Sequence, residues 1–444
     1  MQLSPPPLKS GPPAAPKFIE PRFKRDSEIT QEAIEARRLA LDIFFGGAQA
    51  RLGDPSLISS SHGAIKKVLL TLPNDLFSTD DPQTVKTAET VKDLLPRLGA
   101  GVELIIVTQD SSAPQLNQWL SQLGLAGRTT TVLLSDNDDI TIWAQDPVAV
   151  CRDLSGPETF LVEPIIFNRL DDAFIADFVA DGTTLKRTDA RLHFQGGNIL
   201  IGDDFWLIGM DSAAESFESR LIEQNSGETA ADAIKRKYGE SLDLKRRLIP
   251  VGSRRAVPLA HERGFQMNGQ PWTEKLYFGN KAGTAQPIFH IDMFLTLAGR
   301  NATEQRRVLI GDPAMAAKIL GQGPPPRHAM AAIFDDIAQQ FSAMGFEVIR
   351  NPLPLTYDDN QEKRERTWYF ASSNNALVEI TDESKQVWLP TYGHDKWPEL
   401  AETDNANKKI WENLGFTVNM LKNFHPFASQ VGAVHCILKY LSRG

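Results

Sequence analysis

An α/β fold, with sheets covered by helices, is predicted from three features of the 444-residue chain. From residue 64 onward, short apolar runs rich in β-branched residues alternate with longer stretches of helical period. Turn signals such as Asp203-Asp204 join neighbouring apolar runs into hairpins. No Pro/Gly-rich linker interrupts the chain after residue 60, so one domain is expected over 61–444.

The elements follow in order. Residues 1–25, rich in Pro, Lys and Ser, read as an extended or disordered arm. Residues 26–60 read as a helical extension, because Ile29, Ala33, Ile34, Ala40 and Phe44 recur at helical spacing over 28–50. Ile65 to Leu72 predicts a strand, 84–97 a helix ending near Gly99, and Val102 to Val107 a second strand. A helix over 114–123 and a strand from Thr129 to Leu134 follow. The stretch 192–210 (LHFQGGNILIGDDFWLIGM) predicts a hairpin, with helices over 213–224 and 228–238 and a strand over 247–251. The segments 287–299 and 306–312 predict strands, 328–344 a helix and 346–350 a strand. A hairpin over 367–391, a helix over 404–414 and a closing strand over 432–440 complete the pattern. The strand-rich units repeat weakly, with no identity strong enough to define a repeat.

Composition narrows the function. Hydrophobic content of 41% and charged content of 23% are those of a soluble globular protein. Two cysteines exclude a disulfide scaffold and fit a reducing, cytoplasmic setting. There is no CxxC and no His/Cys cluster, so no metal site is expected. The opening MQLSPPPLKSGPPAAP has no apolar stretch of secretory type, and no segment has the length of a membrane span. A formal net charge of -9 argues against a nucleic-acid surface and is compatible with a cationic substrate.

Four segments set polar groups at the ends or middles of apolar runs, a costly placement unless the groups are paired or functional. In ITIWAQDPVAV, Asp146 ends an apolar run before Pro147; a turn aspartate and a site carboxylate are both open readings, and Trp143 reads equally as core. In HFQGGNILIG, Gly196-Gly197 suggests a bulge, a tight turn or a close backbone approach, with Gln195 and Asn198 supplying hydrogen-bonding groups beside it. In PIFHIDMFLTLAG, His290 and Asp292 are two apart, which on a strand gives them one face. In VHCILKYL, Cys436 opens the last apolar run and is a candidate nucleophile; Cys151 reads as a packing cysteine. Two carboxylates, an imidazole and a thiol suit guanidinium chemistry. Carboxylates grip the planar cation through paired hydrogen bonds, the thiolate attacks its carbon and the imidazole moves the proton.

In this order the four segments resemble the guanidine-modifying enzymes of the pentein superfamily. The match is to the catalytic, C-terminal domain of protein-arginine deiminases, with agmatine deiminase as a relative. WAQD at 143–146 is similar to that family's Trp-x-Gln-Asp, and GGN, HID and HC fall in the family's order. LPTYG at 389–393 resembles a further agmatine-deiminase segment. The resemblance covers roughly 60–444 and implies a five-bladed, pseudosymmetric α/β propeller with an N-terminal helical extension. It implies a hydrolase that turns a guanidino group into a ureido group and releases ammonia through a thiouronium intermediate. Carried over by position, Cys436 is the nucleophile and His290 the acid/base. Asp146 and Asp292 bind the guanidinium nitrogens, and Trp143 packs on the substrate's methylene chain. Gln195 and Asn198 complete the substrate-binding set.

Many relatives carry an acidic residue before Gly-Gly where this chain has Gln195, a change expected to alter the histidine's pKa or slow the reaction. No organic cofactor is expected. The resemblance leaves calcium open as a ligand, while residues 1–60 do not resemble the deiminases' preceding domains and are too short to hold them, which argues against calcium regulation. The expected partner is a small guanidino compound such as free arginine or agmatine, or an arginine-containing peptide, with no nucleic acid and no membrane. A free amino acid would call for a cation for its carboxylate, with Arg254 and Arg255 the candidates. Amidinotransfer through the same covalent step, and guanidino binding without catalysis, are the competing readings.

Overall fold

Six sheets form from the apolar runs in a computed structural model that describes Ala36 and residues 52–165, 169, 171–276 and 283–444. The proline-rich arm and the helix expected over 28–50 lie outside the described residues, apart from Ala36, which is helical and exposed. Inside the expected helical extension, Pro55–Leu57 is a strand, paired antiparallel with Ala149–Asp153.

Five of the six sheets repeat one plan. A first strand pairs antiparallel with a second, the chain crosses over through helix, and a third strand lies parallel to the second. Ala149–Asp153, Thr159–Glu163 and Lys186–Asp189 follow it, as do Ile199–Ile201, Phe205–Gly209 and Arg247–Val251. So do Leu295–Arg300, Arg306–Asp312 and Glu347–Pro352, and then Leu377–Ile380, Lys385–Thr391 and Thr417–Asn423. The fifth joins the two ends of the described chain. Lys439–Arg443 is the first strand, antiparallel to Ile65–Thr71, which runs parallel to Glu103–Gln109 and then Thr129–Leu134. The buried Arg443 guanidinium locks this closure by donating to the carbonyls of Gly63, Ser60 and Val378. The sixth sheet stands apart from the plan. Its order is His261–Met267, Gln270–Leu276, Glu365–Phe370, Leu355–Asn360.

Local chemistry explains the helices. Pro82–Arg97 starts at Asp81, whose carboxylate accepts the Thr84 N–H at 3.0 Å, with Pro82 in the first turn where its missing donor costs nothing. Its buried face, Thr84, Thr87, Ala88, Val91, Leu94 and Leu95, has the helical period. Asp312 and Thr229 cap Pro313–Ile319 and Ala230–Leu242 in the same way. The largest core cluster gathers Val68, Leu69, Leu70, Ile106, Phe294 and Phe334 from several sheets.

The strands expected at 129–134, 247–251 and 306–312 form with those ends, and those expected at 65–72 and 102–107 form with shifts of one or two residues at their ends. The helix expected over 213–224 is Met210–Glu218, and that over 404–414 is Ala401–Asn413. The hairpin expected over 367–391 is divided. Glu365–Phe370 belongs to the sixth sheet, and Leu377–Ile380 pairs with Lys385–Thr391.

Three further differences bear on function. His290 and Asp292 do not share a strand: His290 is extended, residues 291–293 form a 3-10 turn, and the strand begins at Leu295. GGN is likewise a 3-10 turn before Ile199, and Cys436 sits in a turn before a strand that begins at Lys439. In two of the turns, side chains take backbone donors that a ladder would otherwise use. Asn198 Oδ1 accepts the Ile291 N–H, and Asn375 Oδ1 accepts those of His435 and Cys436.

Candidate active site

The expected site residues come together because each occupies the turn before the first strand of a repeated sheet. Asp146, Gly196, Asp292, Asn374 and Cys436 each stand three residues before such a strand, which begins at Ala149, Ile199, Leu295, Leu377 and Lys439. Hydrogen bonds tie the turns to one another. Gln145 N–H donates to the Cys436 carbonyl at 3.0 Å, and Gly196 N–H to the Asp146 carbonyl at 2.9 Å. Asn198 links GGN to the His290–Asp292 turn through Ile291 N–H, at 3.1 Å. His435 Nδ1–H donates to Asp292 Oδ2 at 2.8 Å and connects that turn to the cysteine.

Asp146, Asp292, His290, His435 and Cys436 are all buried, at 1–3% exposure. Burying such charge costs several kcal/mol per ion unless it is paired. Asp146 is paired on one side: Arg169 Nη2 lies 3.0 Å from its Oδ2, while Arg169 Nε lies 3.1 Å from Asp172 Oδ2. Thr141 donates to Asp172 through both its N–H and its hydroxyl, and burial pushes the Asp172 carboxyl up against these opposing bonds. His290 Nε2–H donates to Gln195 Oε1 at 2.6 Å, which leaves Nδ1 as an acceptor.

Asp146 Oδ1, Asp292 Oδ1 and His290 Nδ1 therefore face the site as buried acceptors without a hydrogen-bond donor among the described residues. Nδ1 and Asp146 Oδ1 are 3.5 Å apart. Gly197 keeps the space between them open. A Cβ there would stand 2.6 Å from His290 Nδ1, 2.9 Å from Asp146 Oδ1 and 3.1 Å from Asp292 Oδ2. A cation rich in N–H donors satisfies this arrangement, since an unmet buried acceptor costs on the order of 1–3 kcal/mol.

The Cys436 sulfur lies 3.7 Å from Asp292 Oδ2 and 3.1 Å from Asn375 Nδ2. Burial pushes its thiol well up, and Asp292 and Asp146 add to the shift; the Ala433 N–H and the Asn375 amide oppose it. Burial lowers the His290 pKa, with Asp146 and Asp292 opposing. Thiol and imidazole are thus both neutral at neutral pH before a substrate binds. Lys439, also buried, donates to the Gln145 carbonyl at 3.3 Å, and burial brings its ammonium down to about 8. No group of three or more His, Cys, Asp or Glu side chains is placed to hold a metal ion among the described residues.

Two expected contacts look different in three dimensions. Trp143 is 3% exposed; its ring stands edge-on to Phe427 and packs close to Gly432, where a Cβ would come within 2.1 Å of Cζ3. Asn198 spends its side chain on Ile291, Ser212 and Gln286, so it braces the His290 turn. Arg254, a candidate for a substrate carboxylate, is paired with Asp336 at 2.6 Å. Sequence reasoning missed Arg169, Asn375, Lys439 and the Asp292–His435 bond. Asn375 had a legible signal, because SSNNALVEI repeats the pattern of a polar turn before an apolar strand.

No family model matches the sequence, and no curated protein matches it. The fold has solved counterparts. An agmatine deiminase from C. jejuni superimposes with a TM-score of 0.55 at 14% identity, over 88% of this chain and 96% of that one. The agmatine deiminase of Enterococcus faecalis gives 0.56 at 15% identity, over 88% and 98%. A structural-genomics target provisionally assigned as an agmatine deiminase gives 0.58 at 14%, again over 88% and 98%. The chain thus shares its fold with these agmatine deiminases, the relative to which the four segments pointed.

Proposed function

We propose that this chain is a guanidino hydrolase, turning a guanidino group into a ureido group and releasing ammonia. The observation that carries the reading is the set of donorless acceptors, Asp146 Oδ1, Asp292 Oδ1 and His290 Nδ1, beside the Cys436 thiol. A guanidinium offers five N–H donors in a plane and a positive charge, and a neutral amide or sugar offers neither together. The five sheets of common plan read as the five blades of a propeller, with residues 61–444 as its domain.

The chemistry follows from the charges. Burial and the two carboxylates hold the thiol protonated before a substrate binds. A guanidinium seated between Asp146 and Asp292 cancels their effect on the sulfur and favours thiolate. The thiol's proton passes to His290, and the thiolate sulfur bonds to the guanidinium carbon, giving a tetrahedral adduct. A proton delivered by His290 makes the leaving nitrogen ammonia, and the C–N bond breaks to leave a thiouronium on Cys436. Water, giving its proton to His290, adds to that carbon, and the C–S bond breaks to release the ureido product and the thiolate.

Agmatine, which the similar structures are named for, heads the candidate substrates, followed by free arginine and peptidyl-arginine. The test is a panel of these guanidino compounds with ureido product and ammonia measured together. Stoichiometric release of both, without an added amine, supports the hydrolase. Turnover only with an amine acceptor would make the chain an amidinotransferase, and tight binding with no turnover would make it a binding protein.

A further inference from the structure

The geometry points to Asn375 as a catalytic residue that stabilises the Cys436 thiolate, a role that deepens the proposed function by naming what holds the nucleophile. Asn375 is fully buried in the run Ser372–Ser373–Asn374–Asn375, in the turn before the strand Leu377–Ile380. This is the fourth of the five equivalent turns, and the others supply Asp146, the Gly196-Gly197 pair, Asp292 and Cys436.

Its amide has one possible orientation. Oδ1 accepts two backbone donors, His435 N–H at 2.9 Å and Cys436 N–H at 3.2 Å. A flipped amide would set its NH2 against both, so the oxygen must face the backbone and Nδ2 must face the sulfur. Nδ2 lies 3.1 Å from Sγ, close for a nitrogen–sulfur hydrogen bond. One side chain therefore shapes the turn that presents the sulfur and gives the sulfur a donor.

The groups around the sulfur show why this donor matters. Asp292 Oδ2 lies 3.7 Å away, and the Asp146 charge also acts on the thiol. His435 spends its Nδ1–H on Asp292. Burial and negative charge thus favour the neutral thiol, and Asn375 and the Ala433 N–H oppose them. A hydrogen bond donated to a thiolate favours the charged form.

The experiment is the pH dependence of Cys436 alkylation by iodoacetamide, followed by mass spectrometry on the whole chain. Asn375→Asp keeps an oxygen for the two backbone donors and removes the donor to sulfur; Asn375→Ala removes both. Each is expected to raise the alkylation midpoint by about one pH unit or more, and so to slow labelling about tenfold near neutrality. A folded variant of either kind with the wild-type midpoint overturns the role. Faster labelling of Asn375→Ala at an unchanged midpoint also overturns it, since that is the result for an amide that only shapes the turn. Iodoacetamide carries no guanidinium, so the measurement stands apart from the proposed reaction. A raised midpoint in the variants, with no guanidino compound turned over by the wild type, would reject the hydrolase and keep the thiolate donor.

Discussion

Arg169 holds Asp146 by one oxygen only. Its Nη2 lies 3.0 Å from Oδ2, while Oδ1 has no hydrogen-bond partner among the described residues and stands 3.5 Å from His290 Nδ1. The protein's own guanidinium thus occupies the far side of the carboxylate and aims its other oxygen into the site. Asp172 fixes Arg169 in turn, through Nε at 3.1 Å.

This relationship predicts a split effect for Arg169→Gln. Asp146 loses its orientation, so KM for a guanidino substrate should rise about tenfold while kcat changes less. Asp172 also loses its buried partner, which costs on the order of 3 kcal/mol of stability. Adding Asp172→Asn should restore the melting temperature and leave KM high. Recovery of both together would mean that Arg169 acts on the fold alone.

Asp146→Asn and Asp292→Asn each remove a charge and keep the shape. Binding of a guanidinium ligand should weaken by about 10- to 100-fold, the scale of a lost charge-assisted pair, while the neutral ureido product should lose far less. Calorimetric titration of both ligands checks this, and equal losses would show that these carboxylates are not the clamp.

The two cysteines should behave oppositely. Cys436→Ser should abolish turnover and retain ligand binding, because a serine without a dedicated base is a poor nucleophile of nearly the same size. Cys151 is fully buried, 3.4 Å from the Leu242 carbonyl, and lies outside the site. Cys151→Ala should cost about 1–2 kcal/mol in chemical unfolding and leave kcat unchanged. Clear residual turnover in the serine variant counts against the assignment of the nucleophile.

The sequence made the strands and the four segments visible because their signals are local. β-branched runs mark Glu103–Gln109 and Thr129–Leu134, and Cys436 stands out in a chain with two cysteines. The turns were not visible, because side chains distant in sequence create them. Asn198 takes the Ile291 donor from 93 residues away, and Asn375 takes the Cys436 donor from 61. His290 and Asp292 were therefore expected on one strand face and instead lie on a turn. Arg169 carried no signal, since nothing in its own neighbourhood indicates that it will meet Asp146.

Gln195 gives the last prediction, and its contact makes the sign definite. The direct bond from His290 Nε2 to Gln195 Oε1 at 2.6 Å means that residue 195 touches the imidazole as well as shaping the Gly196-Gly197 turn. In the wild type, burial lowers the His290 pKa, so the imidazole is neutral near pH 7 and its proton sits on Nε2. Gln195→Glu puts a carboxylate at the same contact. The charge stabilises the imidazolium, so the His290 pKa should rise by about one to two units. The neutral, proton-accepting form then becomes scarce at neutral pH, and the limb of the pH–rate profile that reports His290 should move upward by the same amount. Proton NMR of the His290 ring in the resting enzyme reads the shift directly. An unmoved titration with a folded variant would mean that the bond orients the ring without setting its charge.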